Sequence, residues 1–343
     1  MSYHFTNLVF EGGGVKGVAY VGALEELDNR GILSNIKRVG GASAGAIVAA
    51  LVALGYTREE ILKILLDMDF KKFMDSSWGV LRDIKRLKND FGWYKGDFFR
   101  KWIGNLIKNK TGSADITFRQ VRKMADKEKG FREPYFMVTN LSTGFSEIMC
   151  EEKSPDVCIA DAVRFSMSIP FFFAARRSMR GDVYVDGGVL DNYPIKLFDR
   201  KKYLTTPAGG KATDYYETEN KQFLKKHPES SPYIYNKETL GFRLDSEEEI
   251  ALFRDHAEPA HRKIDDLFDF MTAVVLCFID GQNNQHLHGD DWQRTIYIDT
   301  LGVGATDFSL SRKTKEALLE SGRKGVRQYF AWYDDKNTKA ANK

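Results

Sequence analysis

Apolar residues in this chain alternate between short runs that suit a buried strand and longer stretches with helical spacing. Residues 5–10 predict a strand, Glu11 to Gly17 a glycine turn, and residues 18–27 a small-residue helix in which Gly22 and Ala23 permit close packing. The same order returns at residues 36–41, a predicted strand, followed by Gly41-Ala42-Ser43-Ala44-Gly45 and a buried helix over 46–54. Thr57 with Glu60 has the form of a capping box for a helix through Leu66, and Thr117 with Gln120 opens another towards Lys127. Later strands are expected at 135–140, 145–150, 183–186, 240–244 and 295–299, with helices at 246–256 and 313–333. Strands alternating with helices predict an α/β fold with a mainly parallel sheet covered on both faces, in one domain over residues 1–335. Within it, residues 200–236 break the rhythm with Pro207, Gly209, Gly210, Pro228 and Pro232 and are expected to form a surface insertion or long loop. Residues 237–335 complete the fold, and 336–343, which lack an apolar pattern, are expected to be a flexible tail.

Composition narrows the class. Of 343 residues, 43% are hydrophobic, enough for a sizeable core, and 51 Lys plus Arg against 48 Asp plus Glu leave +3, which gives no argument for a nucleic-acid polymer as partner. Cys150, Cys158 and Cys277 are odd in number and never spaced as CxxC, against a disulfide framework or a zinc ribbon. No Sec-type signal peptide and no run of about 18 apolar residues is present, so the expected location is cytoplasmic with no transmembrane segment.

Candidate chemistry concentrates in three glycine-bearing turns. Gly12, Gly14 and Gly17 satisfy GxGxxG between a strand and a helix, but the second strand ends at Gly40-Gly41 with no carboxylate to hold a ribose, which disfavours a dinucleotide site. Lys16 is followed by Gly17 and Val18, so a GxxxxGK[ST] phosphate loop is absent too. What survives is an anion cradle of glycine N–H groups at a helix N-terminus. Gly41 to Gly45 is a GxSxG pentapeptide between strand and helix, the form of a nucleophile elbow that exposes Ser43, although the same glycines would also suit a turn that merely packs helix on sheet. None of the six histidines, His4, His227, His256, His261, His286 and His288, follows a late strand as a triad histidine should. His286-x-His288-x-Asp290-Asp291 imitates a metal cluster within a Gln- and Asn-rich run that suits a solvated loop, and no metal or cofactor is expected. The other candidate base is Asp186, delivered by a strand into Gly187-Gly188; it could take the serine proton or simply cap its own turn.

Together these residues resemble the patatin-like phospholipases, in which a DGGGx[RK]G loop, a GxSxG elbow and a DGG supply an oxyanion hole and a Ser-Asp dyad. The match covers about Leu8 to Pro194, with Glu11 in place of the usual Asp; Ser168-Ile169-Pro170 and Asn192-Tyr193-Pro194 look similar to the family's flanking blocks, and residues 240–244 to a later strand. The resemblance implies a three-layer α/β/α fold with the elbow after the second strand. It implies a carboxylic ester hydrolase of the phospholipase A or lysophospholipase type, with Ser43 as nucleophile, Asp186 as base and Gly12, Gly13 and Gly14 as oxyanion donors. Lys16, Gly17, Gly41, Gly45, Gly187 and Gly188 would support them. Two alternatives stand beside it: an acyl hydrolase or acyltransferase on soluble esters or thioesters, and a regulated effector that needs an activator such as a nucleotide messenger or a protein.

Residues 71–110 add eleven basic against four acidic residues and interleave them with aromatics. Phe98, Trp102 and Leu106 recur at helical spacing beside Phe99, Ile103 and Ile107, with Arg100, Lys101 and Lys108 off that face. One reading is a core helix with a wet basic side. The other is a helical cap over 70–112 that rests on a phospholipid membrane surface through Trp78, Lys85, Arg86, Lys88, Trp93, Phe98, Phe99, Lys101 and Trp102, making the protein peripheral at the membrane when active.

Overall fold

The computed structural model describes residues 3–74, 91–127, 130–246, 264–283 and 289–343. The strands are β1 (Asn7–Phe10), β2 (Arg38–Gly41), β3 (Gly92–Tyr94), β4 (Glu133–Asn140), β5 (Phe145–Met149), β6 (Phe171–Phe173), β7 (Arg176–Arg177), β8 (Val183–Asp186), β9 (Gly210–Lys211), β10 (Tyr235–Asn236), β11 (Thr239–Asp245) and β12 (Thr295–Asp299). The helices are α1 (Ala19–Asn29), α2 (Ala44–Ala53), α3 (Arg58–Asp67), α4 (Asp97–Thr111), α5 (Phe118–Lys127), α6 (Ile159–Ser166), α7 (Asp214–Lys226), α8 (Leu267–Asn283) and α9 (Arg312–Tyr333).

The main sheet runs β12-β11-β1-β2-β4-β8-β7, parallel from β12 to β4, with β5 and β8 antiparallel to β4. Every residue of β1 and β11 is buried, as strands covered on both faces require. Leu8, Phe10, Phe136 and Val138 enter one core; Val9 and Tyr135 point to a smaller one with Ile195 and Phe198. On the first face α1 and α9 touch backbone to backbone: a Cβ at Gly22 would lie 1.9 Å from the Leu319 carbonyl oxygen, and one at Gly322 would lie 2.0 Å from that of Ala19.

Two registers on β4 position the site. Gly41, the end of β2, pairs with Phe136, and Asp186, the end of β8, pairs with Val138. These partners are two residues apart, about 7 Å along the strand, so β2 and the antiparallel β8 meet end to end. Both expected capping boxes are formed, with Thr57 and Glu60, and Thr117 and Gln120, exchanging side-chain and backbone bonds.

Two expectations are corrected. The tail 336–343 is docked: Asn342 is fully buried and donates to the Tyr329 hydroxyl at 2.8 Å, while Ala341 N–H donates to Gln293 Oε1 at 2.6 Å. It is held by polar bonds, which leave no hydrophobic period. The insertion 200–236 is a small structured layer carrying α7 and the β9–β10 pair, pinned by the fully buried Arg294, which donates to Asp199 at 2.6 and 2.7 Å and to Asp291 at 2.6 Å. On α4 the stripe Phe99, Ile103 and Ile107, spaced by four, is buried in the main core as the core-helix reading expects, while Phe98 and Lys101 are exposed. The helix expected at 246–256 lies almost entirely outside the described residues.

Candidate active site

Ser43 joins β2 to α2 with φ 52° and ψ −126°, a backbone region that side chains rarely occupy and that persists only when the surroundings impose it. Its N–H donates to Ser166 Oγ at 3.0 Å. A Cβ at Gly45 would sit 2.4 Å from the Phe10 carbonyl oxygen, so only glycine lets α2 begin against the end of β1. Ser43 is 6% exposed, and its hydroxyl donates to Met167 Sδ at 3.7 Å.

The glycine loop closes over this hydroxyl. A Cβ at Gly12 would lie 3.0 Å from Ser43 Cβ and 2.3 Å from Asn192 Oδ1. Gly12 N–H donates to the Asn192 carbonyl at 3.0 Å and is therefore committed to structure, which removes it from the three expected oxyanion donors. For the N–H groups of Gly13 and Gly14 no acceptor is found among the described residues. Lys16 braces the loop, its N–H on the Gly13 carbonyl at 3.1 Å and its Nζ 3.5 Å from the Leu244 carbonyl, and Gly17 packs against Ala44.

Asp186 is buried at the end of β8. Its Oδ1 accepts Gly188 N–H at 2.7 Å, its own N–H donates to the Ser168 carbonyl at 2.9 Å, and its buried Oδ2 has no hydrogen-bond partner among the described residues. Burial pushes its carboxyl up to about 7, a rise opposed first by the Ser43 hydroxyl and then by the Gly188 N–H. The Ser43 hydroxyl's hydrogen bond goes to Met167, and a rotation of Ser43 about Cα–Cβ is what would aim it at the empty Oδ2. Gly187 and Gly188 keep this turn tight: Cβ atoms there would lie 2.3 Å from the Met137 carbonyl and 2.6 Å from Asn192 Oδ1.

Glu11 is structural in geometry. Its Oε1 accepts Asn192 Nδ2 at 3.3 Å and its Oε2 accepts Leu244 N–H at 2.7 Å, so it ties the glycine loop to β11 and to the segment after Asp186. Burial and then the Asp245 charge push it up to about 8, against Arg243, the Leu244 N–H and Lys16. Beside Ser43 lies a narrow apolar cavity of about 30 Å³, lined by Gly14, Ala44, Met68, Phe73, Met167 and Phe308 among others, with no polar side chain in its wall.

A family model for patatin-like phospholipases matches residues 8–199, more than half of the chain. The chain belongs to this family. YqhO of Bacillus subtilis, an uncharacterized protein, is 30% identical over 331 residues, spanning 92% of this chain and 94% of its own. A probable lipid hydrolase, 463L of Invertebrate iridescent virus 6, is 28% identical over 194 residues, 57% of this chain and 63% of that one. Among solved structures VipD of Legionella pneumophila shares the fold, with a TM-score of 0.58 at 16% identity over 96% of this chain and 67% of its own.

Within this patatin-like framework the remaining candidates separate. His4 and His227 are exposed, at the N-terminal end of β1 and the C-terminal end of α7, away from Ser43; the other four histidines lie outside the described residues. Asp290 pairs with Lys211 and Asp291 with Arg294. Of the lipid-contact candidates, Trp78, Lys85, Arg86 and Lys88 lie outside the described residues. Phe99 is in the core, Trp93 and Trp102 are half-buried, Phe98 is partly exposed beside Phe73, and Lys101 is exposed. Ser166 and Met167 carry no motif of their own in the sequence, and Asn192 stands out only within Asn192-Tyr193-Pro194.

Proposed function

We propose that the chain is a serine lipid acyl hydrolase acting on carboxylic ester bonds of membrane glycerophospholipids. The observation that supports this is the meeting of β2 and β8 on β4, with Ser43 following β2 and a buried Asp186, its Oδ2 unpartnered, ending β8. Ser43 Oγ attacks the ester carbonyl carbon as its proton passes to Asp186. The Gly13 and Gly14 N–H groups take the carbonyl oxygen as it becomes an oxyanion. Collapse breaks the ester C–O bond, the departing alkoxide recovers the proton from Asp186, and water, deprotonated by the same carboxylate, releases the acid from the acyl-enzyme. Lipid is favoured over soluble esters by the all-apolar cavity, which would open to receive an acyl chain. Exposed apolar side chains on α8, Leu267, Phe270 and Phe278, support the same reading, because α8 packs against the turn after Asp186. The membrane surface is then the partner, and among the described residues no helix is long and apolar enough to cross it. Labelling by a long-chain fluorophosphonate tests the assignment: one equivalent on Ser43, lost in Ser43→Ala together with about three orders of magnitude or more of ester hydrolysis, is expected. A folded Ser43→Ala protein that keeps a tenth of the activity overturns it.

A further inference from the structure

A second cavity, of about 510 Å³, lies on the opposite face of the sheet from the apolar one. Its floor is Tyr135 and Met137 of β4 with Ile148 of β5 and Cys150 just after it; its roof is Arg200, Phe223 and Tyr233 of the insertion. The Arg200 guanidinium is held over the Phe223 ring at 4.6 Å and the Tyr233 ring at 4.2 Å, contacts that fix its position without neutralising it. No carboxylate among the described residues pairs with it, and its buried Nε has no hydrogen-bond partner there. Across the same cavity the buried Oδ1 of Asp191 is also unpartnered. Other charges on this face are matched: Arg294 with Asp199 and Asp291, Lys211 with Asp290 and, in the cavity wall itself, Lys202 with Glu152. A cation with no ion-pair partner and a carboxyl oxygen with no hydrogen bond, although the Lys196 charge reaches that carboxyl, each carry a cost that a ligand of complementary chemistry would remove.

We propose that this cavity binds a small organic phosphate carrying a hydroxyl or amino group, its phosphate on Arg200 with Lys153 at the rim and its donor on Asp191 Oδ1. The guanidinium fork suits phosphate oxygens, and the volume falls within the range of small-molecule sites. Asp191 N–H donates to the Gly187 carbonyl at 2.9 Å, and Met137 lines the cavity while touching Gly187, so the occupant sits directly behind the turn that presents Asp186. The ligand chemistry could come from a free metabolite or from a lipid headgroup, and the experiment separates them. Calorimetric titration of the full chain with glycerol 3-phosphate is expected to show saturable binding, with glycerol showing none. Binding should weaken at least tenfold in Arg200→Gln and in Asp191→Asn, and be unchanged in Ser43→Ala, which keeps this test independent of the catalytic assignment. Where a variant fails to fold, protection of the wild type against thermal unfolding by glycerol 3-phosphate, absent with glycerol, carries the same information. Phosphatidylglycerol vesicles that displace glycerol 3-phosphate assign the site to a headgroup; vesicles that do not displace it assign it to a free phosphate. No saturable binding to the wild type, or equal affinity in folded Arg200→Gln, overturns the proposal.

Discussion

Asp186 and Asp199 stand thirteen residues apart, are both buried, and have been given opposite surroundings. Asp199 accepts two bonds from Arg294, one from Asn236 N–H at 3.2 Å and one from the Tyr216 hydroxyl. Asp186 accepts one well-formed bond, from Gly188, and keeps an oxygen empty beside a serine hydroxyl. A carboxylate whose lone pairs are filled has nothing left to offer a proton and acts as a fastener. One left short of partners in a dry site has its proton affinity raised into the range where a base is useful. Burial alone therefore does not distinguish the functional aspartate; the inventory of its partners does.

Removing one charged group at each site is the sharpest way to test that contrast. Asp186→Asn preserves shape and removes the proton acceptor, so hydrolysis of a short soluble ester should fall by about three orders of magnitude or more while the unfolding midpoint in denaturant near neutral pH is no lower than that of wild type, which there carries the buried charge. A variant that keeps more than a tenth of the rate would end the role of Asp186 as base. Arg294→Met attacks the other aspartate by leaving Asp199 and Asp291 buried without their cation, a loss that costs about 3–5 kcal/mol of stability for pairs of this kind. Activity per folded molecule should change by no more than a few-fold, because the pair lies on the opposite face from Ser43. Chemical denaturation run beside soluble-ester kinetics reads both quantities. An Arg294→Met protein as stable as wild type, or one whose folded fraction is inactive, would dissolve the distinction between fastener and base.

Most of the sheet could be read from the chain because its signals are local. The strand at 295–299, the helix beginning near Lys313 and the Thr57–Glu60 box each depend on neighbours within a few residues. The elbow was legible for the same reason, since Gly41 and Gly45 flank Ser43 in one pentapeptide. What escaped was set by distant partners. Nothing around Asn192 announces that its side chain joins Glu11 to the Gly12 carbonyl, nor does residue 166 advertise that its hydroxyl accepts the Ser43 N–H. The docked C-terminus was missed because a buried asparagine bound to a tyrosine leaves no period to detect. The aromatic stripe of α4 had the right spacing but an ambiguous destination: the same pattern serves a core or a membrane, and for Phe99, Ile103 and Ile107 the core was chosen.

The effect expected to be gradual is the dependence on pH. If Asp186 takes the serine proton it must be ionised, and its carboxyl is held near 7 by burial. The value of kcat/KM on an uncharged soluble ester should then fall about tenfold per unit as pH drops below 7 and level off above it. Stability must move the other way. In the unfolded chain an aspartate loses its proton near 3.9, so between about pH 4 and 7 the native state holds a proton that the unfolded state has released. Stability contributed by this group is complete below about pH 4 and declines as pH rises to 7, at about 1.4 kcal/mol per unit at most. Glu11 and Asp191, which burial also raises to about 8 and about 7, add slopes of the same sign in wild type. Subtracting the curve of Asp186→Asn from that of wild type removes their share, because both proteins carry it. The expected difference is a decline confined to the interval from 4 to 7, matched by the rise in activity. A flat difference curve, or activity already maximal at pH 5, would mean that Asp186 is ionised in the native site at ordinary acidity and that its empty oxygen is not what tunes it.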